Sequence, residues 1–200
     1  QQYFSSTNNI SNNLYNNNKI LISKTSKAFK LTKNSKLNTV LYSDNKTISY
    51  NEKGSIHVFS TIEDKKVWEF NFYKKSFKKI KKKIYLLVNN NKIFAADNLG
   101  YFYALDLKTG KLIWAKNFGI PFRSNIKYKN DKLFLANEDN IIYSINAENG
   151  DTNWQFASSA TFLKSSYINN ILINELNKSI LFLNTSGELF SINYDTKYIN

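Results

Sequence analysis

No cysteine or methionine occurs in the 200 residues, and histidine, proline and arginine occur once each, as His57, Pro121 and Arg123. Without thiols there is no disulfide framework, and a single imidazole excludes a Cys/His zinc site within this stretch. No apolar run approaches the roughly 20 residues of a membrane-spanning helix. No stretch has the pattern of a secretory signal. Charge of one sign is also scarce: 15 acids stand against 28 basic residues, for a formal +13. Such a balance invites a nucleic-acid reading. A blander explanation is stronger, because Lys, Asn, Ile and Tyr are inflated together, with roughly thirty Asn, about twice ordinary usage. That is the mark of AT-rich codons whatever the function. Nucleic acid therefore ranks low as a partner, and no flat face of interleaved stacking aromatics is evident.

What is present is a repeat, which decides the fold before any local reading does. In KIFAADNLGYFYALDLKTGKLIW (Lys92–Trp114), Leu105 serves as an anchor whose equivalents are Phe59, Ile145 and Ile192, at intervals of 46, 40 and 47. Five positions before the anchors stand Gly54, Gly100, Asn140 and Gly187, residues that tolerate positive φ at a tight turn. Eight before stand Asn51, Asp97, Asn137 and Asn184, whose side chains can bond their own backbone two residues on. Five positions after come Asp64, Gly110, Gly150 and Lys197, and nine after come Trp68, Trp114 and Trp154. All three tryptophans thus share one register. A fourth Trp would fall just past Asn200; with no initiator Met, the expectation is a fragment cut at both ends. Its end faces would then expose apolar area and favour self-association.

Residues 1–36 are Asn/Ser/Lys-rich and read as a linker or a degraded preceding unit. From residue 37 to 200 the pattern is regular, with units of about 37–73, 84–118, 122–158 and a shortened 170–200. First strands are expected at Thr39–Tyr42, Ile84–Val88, Ile126–Lys129 and Ile171–Asn174. Second strands fall at Thr47–Tyr50, Ile93–Ala96, Leu133–Ala136 and Ile180–Leu183. Third strands fall at Ser55–Ser60, Tyr101–Asp106, Ile141–Asn146 and Glu188–Asn193. Fourth strands begin near Val67, Ile113 and Asn153. Short Ile/Tyr/Phe/Leu strands between turn residues mark an all-β chain. Four strands per forty-odd residues match one blade of a β-propeller, here an incomplete arc of about four four-stranded antiparallel blades. A single blade cannot bury both faces, so Trp68, Trp114 and Trp154 are expected to pack between neighbours. Gly54, Gly100, Gly110, Gly150 and Gly187 are assigned to the blade turns.

The run Ala104-x-Asp106-x-x-Thr109-Gly110-Lys111 followed by Trp114 resembles the repeat of quinoprotein-type (PQQ-like) β-propellers. The third unit keeps Asn146, Gly150 and Trp154, with Ser144 and Asp151 at the Ala and Lys positions. In style the chain is most similar to the BamB-type lipoproteins of the outer-membrane β-barrel assembly machinery. That resemblance implies a non-catalytic eight-bladed scaffold, periplasmic, tethered to the outer membrane through a lipidated Cys outside this stretch. Its partner would be the periplasmic part of a membrane-protein assembly complex, with no cofactor. The alternatives are a piece of a PQQ-dependent dehydrogenase, which the lack of an adjacent-cysteine pair argues against, or a sensory or cell-surface propeller.

Local chemistry adds little for catalysis. His57 falls in the slot held elsewhere by Tyr103, Tyr143 and Phe190, so it reads as a packing residue; Cys/His and Ser/His nucleophile pairs then have no base. The carboxylates sit at turns, and Asn137-Glu138-Asp139-Asn140 is only a faint Ca²⁺ loop. No catalytic, cofactor-binding or metal-binding residue is assigned. Two features suggest binding. One is the basic connection Lys74–Lys83, in which Lys78, Lys79, Lys81, Lys82 and Lys83 could meet an acidic partner or an anionic membrane surface. The other is Phe122-Arg123: where nearly every cation is Lys, a lone Arg suggests a need for a planar, bidentate group. Arg123 would serve either a structural ion pair or a partner contact.

Overall fold

The computed structural model describes residues 40–74, 77, 79–159 and 168–199. The 1–36 segment, Thr39 and Lys78 lie outside the described residues. Four antiparallel sheets follow one another along the chain. Strands β1 (Val40–Ser43), β2 (Lys46–Tyr50), β3 (Ser55–Ser60) and β4 (Lys65–Asn71) form the first. Strands β5 (Ile84–Asn89), β6 (Lys92–Asp97), β7 (Tyr101–Asp106) and β8 (Leu112–Asn117) form the second. The third holds β9 (Lys127–Lys129), β10 (Lys132–Ala136), β11 (Ile141–Asn146) and β12 (Thr152–Ala157). The fourth has three strands, β13 (Asn170–Asn174), β14 (Ser179–Leu183) and β15 (Leu189–Asn193). Strand order equals chain order in every sheet, the up-and-down meander of a propeller blade. Expected and observed strand limits differ by a residue or two.

The turn between the second and third strands is built the same way four times. Oδ1 of Asn51, Asp97, Asn137 and Asn184 accepts the N–H two residues on and again four residues on, at 2.8–3.1 Å. The side chain thus closes the turn that the backbone alone would leave open. Asn140 takes the left-handed conformation (φ 59°) where the other three turns carry glycine.

Between the third and fourth strands a β-bulge recurs. Val58 pairs with Trp68 but Phe59 with Lys66, leaving Val67 as the extra residue; Ile113 and Asn153 are its equivalents. Each bulge falls directly before the tryptophan and sharpens the local twist there.

The core lies between the sheets. Three clusters fill the three junctions. One joins Ile48, Tyr50, Ile56 and Val58 to Ile84, Ile93, Tyr103 and Leu105. A second joins Phe94, Phe102 and Trp114 to Leu133, Leu135 and Ile145. The third joins Phe134 and Ile142 to Ile173, Ile180 and Ile192. Each junction is stitched by one indole. The Nε1–H of Trp68 donates to the Leu107 carbonyl, that of Trp114 to Ala147 and that of Trp154 to Tyr194, at 3.0–3.2 Å. The acceptor is always two residues past the anchor of the following sheet. Gly110 and Gly150 lie under the indoles of the preceding sheet: a Cβ on either would stand 2.6 Å from Trp68 or Trp114. These two positions therefore lack a side chain because a neighbouring sheet occupies the space, in addition to their positive φ of 71° and 76°.

Candidate functional site

The first strands β1, β5, β9 and β13 are the innermost, and β1 approaches β5 as β13 approaches β9. Two cavities open where these strands converge. The first, about 310 Å³, is lined among others by Lys83, Tyr85, Pro121, Arg123 and Glu138. The second, about 350 Å³, takes residues from all four sheets or their leads: Tyr50, Ile84–Leu87, Asn125–Lys127 and Asn170. Lys83, Tyr85 and Ile168 line both.

Arg123 is fixed on both sides by backbone. Its N–H donates to the Ala136 carbonyl and its own carbonyl accepts from Asn169 N–H. Ser124 Oγ, buried, accepts the Ala136 N–H at 2.7 Å. The guanidinium Nη2 stands 3.2 Å from Glu138 Oε2, and both side chains are partly covered. Glu138 is held in place by its N–H, which donates to the Pro121 carbonyl. The single Arg and the single Pro thus act on one carboxylate. In the sequence Glu138 looked like one more turn acid; only its proximity across the fold pairs it with Arg123.

Lys83 lies with its ammonium 5.4 Å from the centre of the Tyr85 ring. Burial pushes the Tyr85 hydroxyl up to about 12, with Arg123 opposing, so it remains a neutral donor. Lys127 is 1% exposed, and burial lowers its ammonium to about 8. Neither Tyr85 nor Lys127 stood out in the sequence. Lys127 could have been found by aligning the inner strands and noting a cation in an apolar register.

Several expected contact residues are placed differently. Phe122 is fully buried, edge-on to Phe102, Phe118 and Tyr143. It is a core residue of the second junction and not a surface contact. Lys82 is also buried, at 4% exposure. Its Nζ donates to the Phe77 carbonyl and lies 5.0 Å from the Tyr73 ring centre, and burial lowers its pKa. Tyr73 in turn donates to the buried Asp97 carboxylate at 2.5 Å. Lys82 thus belongs to a packed knot between the first two sheets. Lys79, Lys81 and Lys83 remain exposed, with Lys81 3.4 Å from Glu52. His57 occupies its packing slot: Asn51 Nδ2 donates to Nε2 at 3.0 Å, which leaves the Nδ1–H facing Glu69 at 3.5 Å. Tyr143 plays the same part for Asn137 in the third sheet. In the faint Ca²⁺ loop, Asn137 Oδ1 is taken by backbone N–H groups and Glu138 by Arg123.

Comparison with known proteins agrees with this architecture. The family model described as outer membrane protein assembly factor BamB matches residues 52–196. BamB of Shewanella oneidensis is 29% identical over 122 residues, which cover 54% of this chain and 29% of that protein. BamB of Moranella endobia is 30% identical over 110 residues, 54% of this chain and 26% of that protein. The chain therefore spans less than a third of these curated relatives. Among solved structures, BamB from Moraxella catarrhalis superposes with a TM-score of 0.68 at 14% identity, covering 80% of this chain and 46% of that one. A europium-containing methanol dehydrogenase gives 0.67 at 12% identity, covering 80% and 40%. At these identities the structural likenesses concern the blade framework alone. With four meander sheets joined by one repeated indole contact, and a family match across well over half of its length, this chain belongs to the BamB family of PQQ-like β-propellers.

Proposed function

We propose that the chain is part of a non-catalytic, periplasmic propeller that serves as a rigid protein-binding scaffold in the assembly of outer-membrane β-barrel proteins. The family match over residues 52–196 carries this reading. The geometry agrees with it in two ways. Each sheet is locked to the next by an indole, so its loops are presented on a stiff frame. The lone histidine is committed to packing between Asn51 and Glu69. The contact surface on this arc is the cationic rim of Lys79, Lys81, Lys83 and the partly exposed Arg123, which suits an acidic face of a periplasmic assembly component.

The test is capture of the assembly machinery's periplasmic domains by the immobilised chain across a salt series. Wild type should retain them, and Lys79, Lys81 and Lys83 changed together to Gln should weaken capture and flatten its salt dependence. Equal capture by the variant would remove the rim from the contact. Failure of the wild type to retain any assembly component would overturn the scaffold reading.

A further inference from the structure

Strand pairing defines one register on the inner strands that the four sheets can be compared by. The residue after the second-strand partner of each anchor faces Leu41 in the first sheet, Leu87 in the second and Leu172 in the fourth. In the third sheet the same place, opposite Phe134, is Lys127. The fold is thus satisfied by leucine three times, and the lysine is not a framework requirement. It is nearly as buried as those framework residues ever are, at 1% exposure, yet it lines the 350 Å³ cavity.

The rest of that cavity has a consistent character. Ile84, Leu86, Leu87 and Ile126 give it apolar walls, and Tyr50 and Tyr85 add aromatic faces. Two cations, Lys83 and Lys127, and no carboxylate line it among the described residues. Burial pushes the Lys127 ammonium down to about 8, so its charge is costly where it stands, and an anion beside it would offset that cost. The volume is that of a small-ligand site, apolar with a few fixed polar groups.

We propose that the hub cavity is a binding site for a small oxyanion with an apolar body, a carboxylate or a phosphate, whose charge is held by Lys127 and Lys83 and whose body lies against Tyr50, Tyr85, Leu86 and Ile126. This site is separate from the exposed rim and does not rest on the scaffold role. Partner capture is read from Lys79 and Lys81, which do not line the cavity.

The experiment is calorimetric titration of the 200-residue chain with phenylacetate, phenyl phosphate and, as neutral control, benzyl alcohol. Wild type should bind at least one of the two anions, and which one identifies the headgroup. Lys127→Leu, the residue its sister sheets carry, should melt no lower than wild type while binding that anion at least tenfold more weakly. Lys127→Met, an unbranched chain of similar reach, gives the same comparison should the leucine variant fold poorly. No heat with either anion at millimolar concentration overturns the proposal. So does undiminished binding by the variants, or binding of benzyl alcohol as tight as that of the anions.

Discussion

The indole–glycine contact between sheets can be tested as a coupled pair. Trp114 is 8% exposed, donates to Ala147 at 3.1 Å and lies edge-on to Phe102 at 5.1 Å. Trp114→Ala removes that ring and its hydrogen bond, at about 3–5 kcal/mol. Gly150→Ala has two costs. The left-handed backbone at φ 76° disfavours a Cβ by about 1–2 kcal/mol, and the new methyl would stand 2.6 Å from the Trp114 ring, an overlap costing about 1–3 kcal/mol. In the double variant the ring is gone, so the overlap vanishes and only the backbone strain remains. The double variant should therefore fall short of the summed single losses by about 1–3 kcal/mol, a coupling of the kind expected for residues in contact. Urea denaturation followed by far-ultraviolet circular dichroism measures all four corners without depending on the deleted fluorophore. Additivity within about 0.5 kcal/mol would refute the claim that Gly150 is small because the neighbouring indole lies on it.

Two further outcomes follow from registers shared between sheets. Lys92 pairs with Glu148 and Lys132 with Asp195, each at 2.5 Å, joining equivalent positions of adjacent sheets. At the first junction the same places hold Lys46 and Lys108, and Lys46 turns to Asp44 instead. Lys108→Glu should supply the missing pair and raise stability by about 0.2–1 kcal/mol, less in high salt; an unchanged urea midpoint at low ionic strength would contradict this. Burial holds His57 below its usual pKa, with Glu69 opposing in part. The unfolded chain then binds a proton near pH 6.5 that the folded chain resists, so stability should fall as pH drops through 6.5 toward the folded-state pKa. His57→Phe, matching Phe190 of the fourth sheet, should remove that part of the pH dependence; melting curves between about pH 5 and 8 check it, and an equal slope in the variant would count against the buried, neutral imidazole.

The repeat, the meander and the turn chemistry were legible because they rest on local spacing. An Asx side chain bonding two and four residues on, or a residue at positive φ, needs nothing beyond its own turn, so Asn51, Asp97, Asn137 and Asn184 could be read directly. The Trp register was equally plain, since a strongly apolar ring recurring at a fixed offset must find the same surroundings in each unit. Contacts between units were not legible. Which cation meets Glu138, why Gly110 and Gly150 carry no side chain, and why Phe122 and Lys82 turn inward depend on neighbours 15 to 40 residues away. A lysine run such as Lys81–Lys83 looks uniform in sequence, yet the alternation of side chains and the packing of Tyr73 bury the middle one and expose its neighbours. Lys127 is the sharpest case. Periodicity marks its position as an inner-strand residue, but only the convergence of four sheets gives it a cavity to line. Short-range bonding and strand period are written in the chain itself, whereas burial and charge environment are properties of the assembled hub.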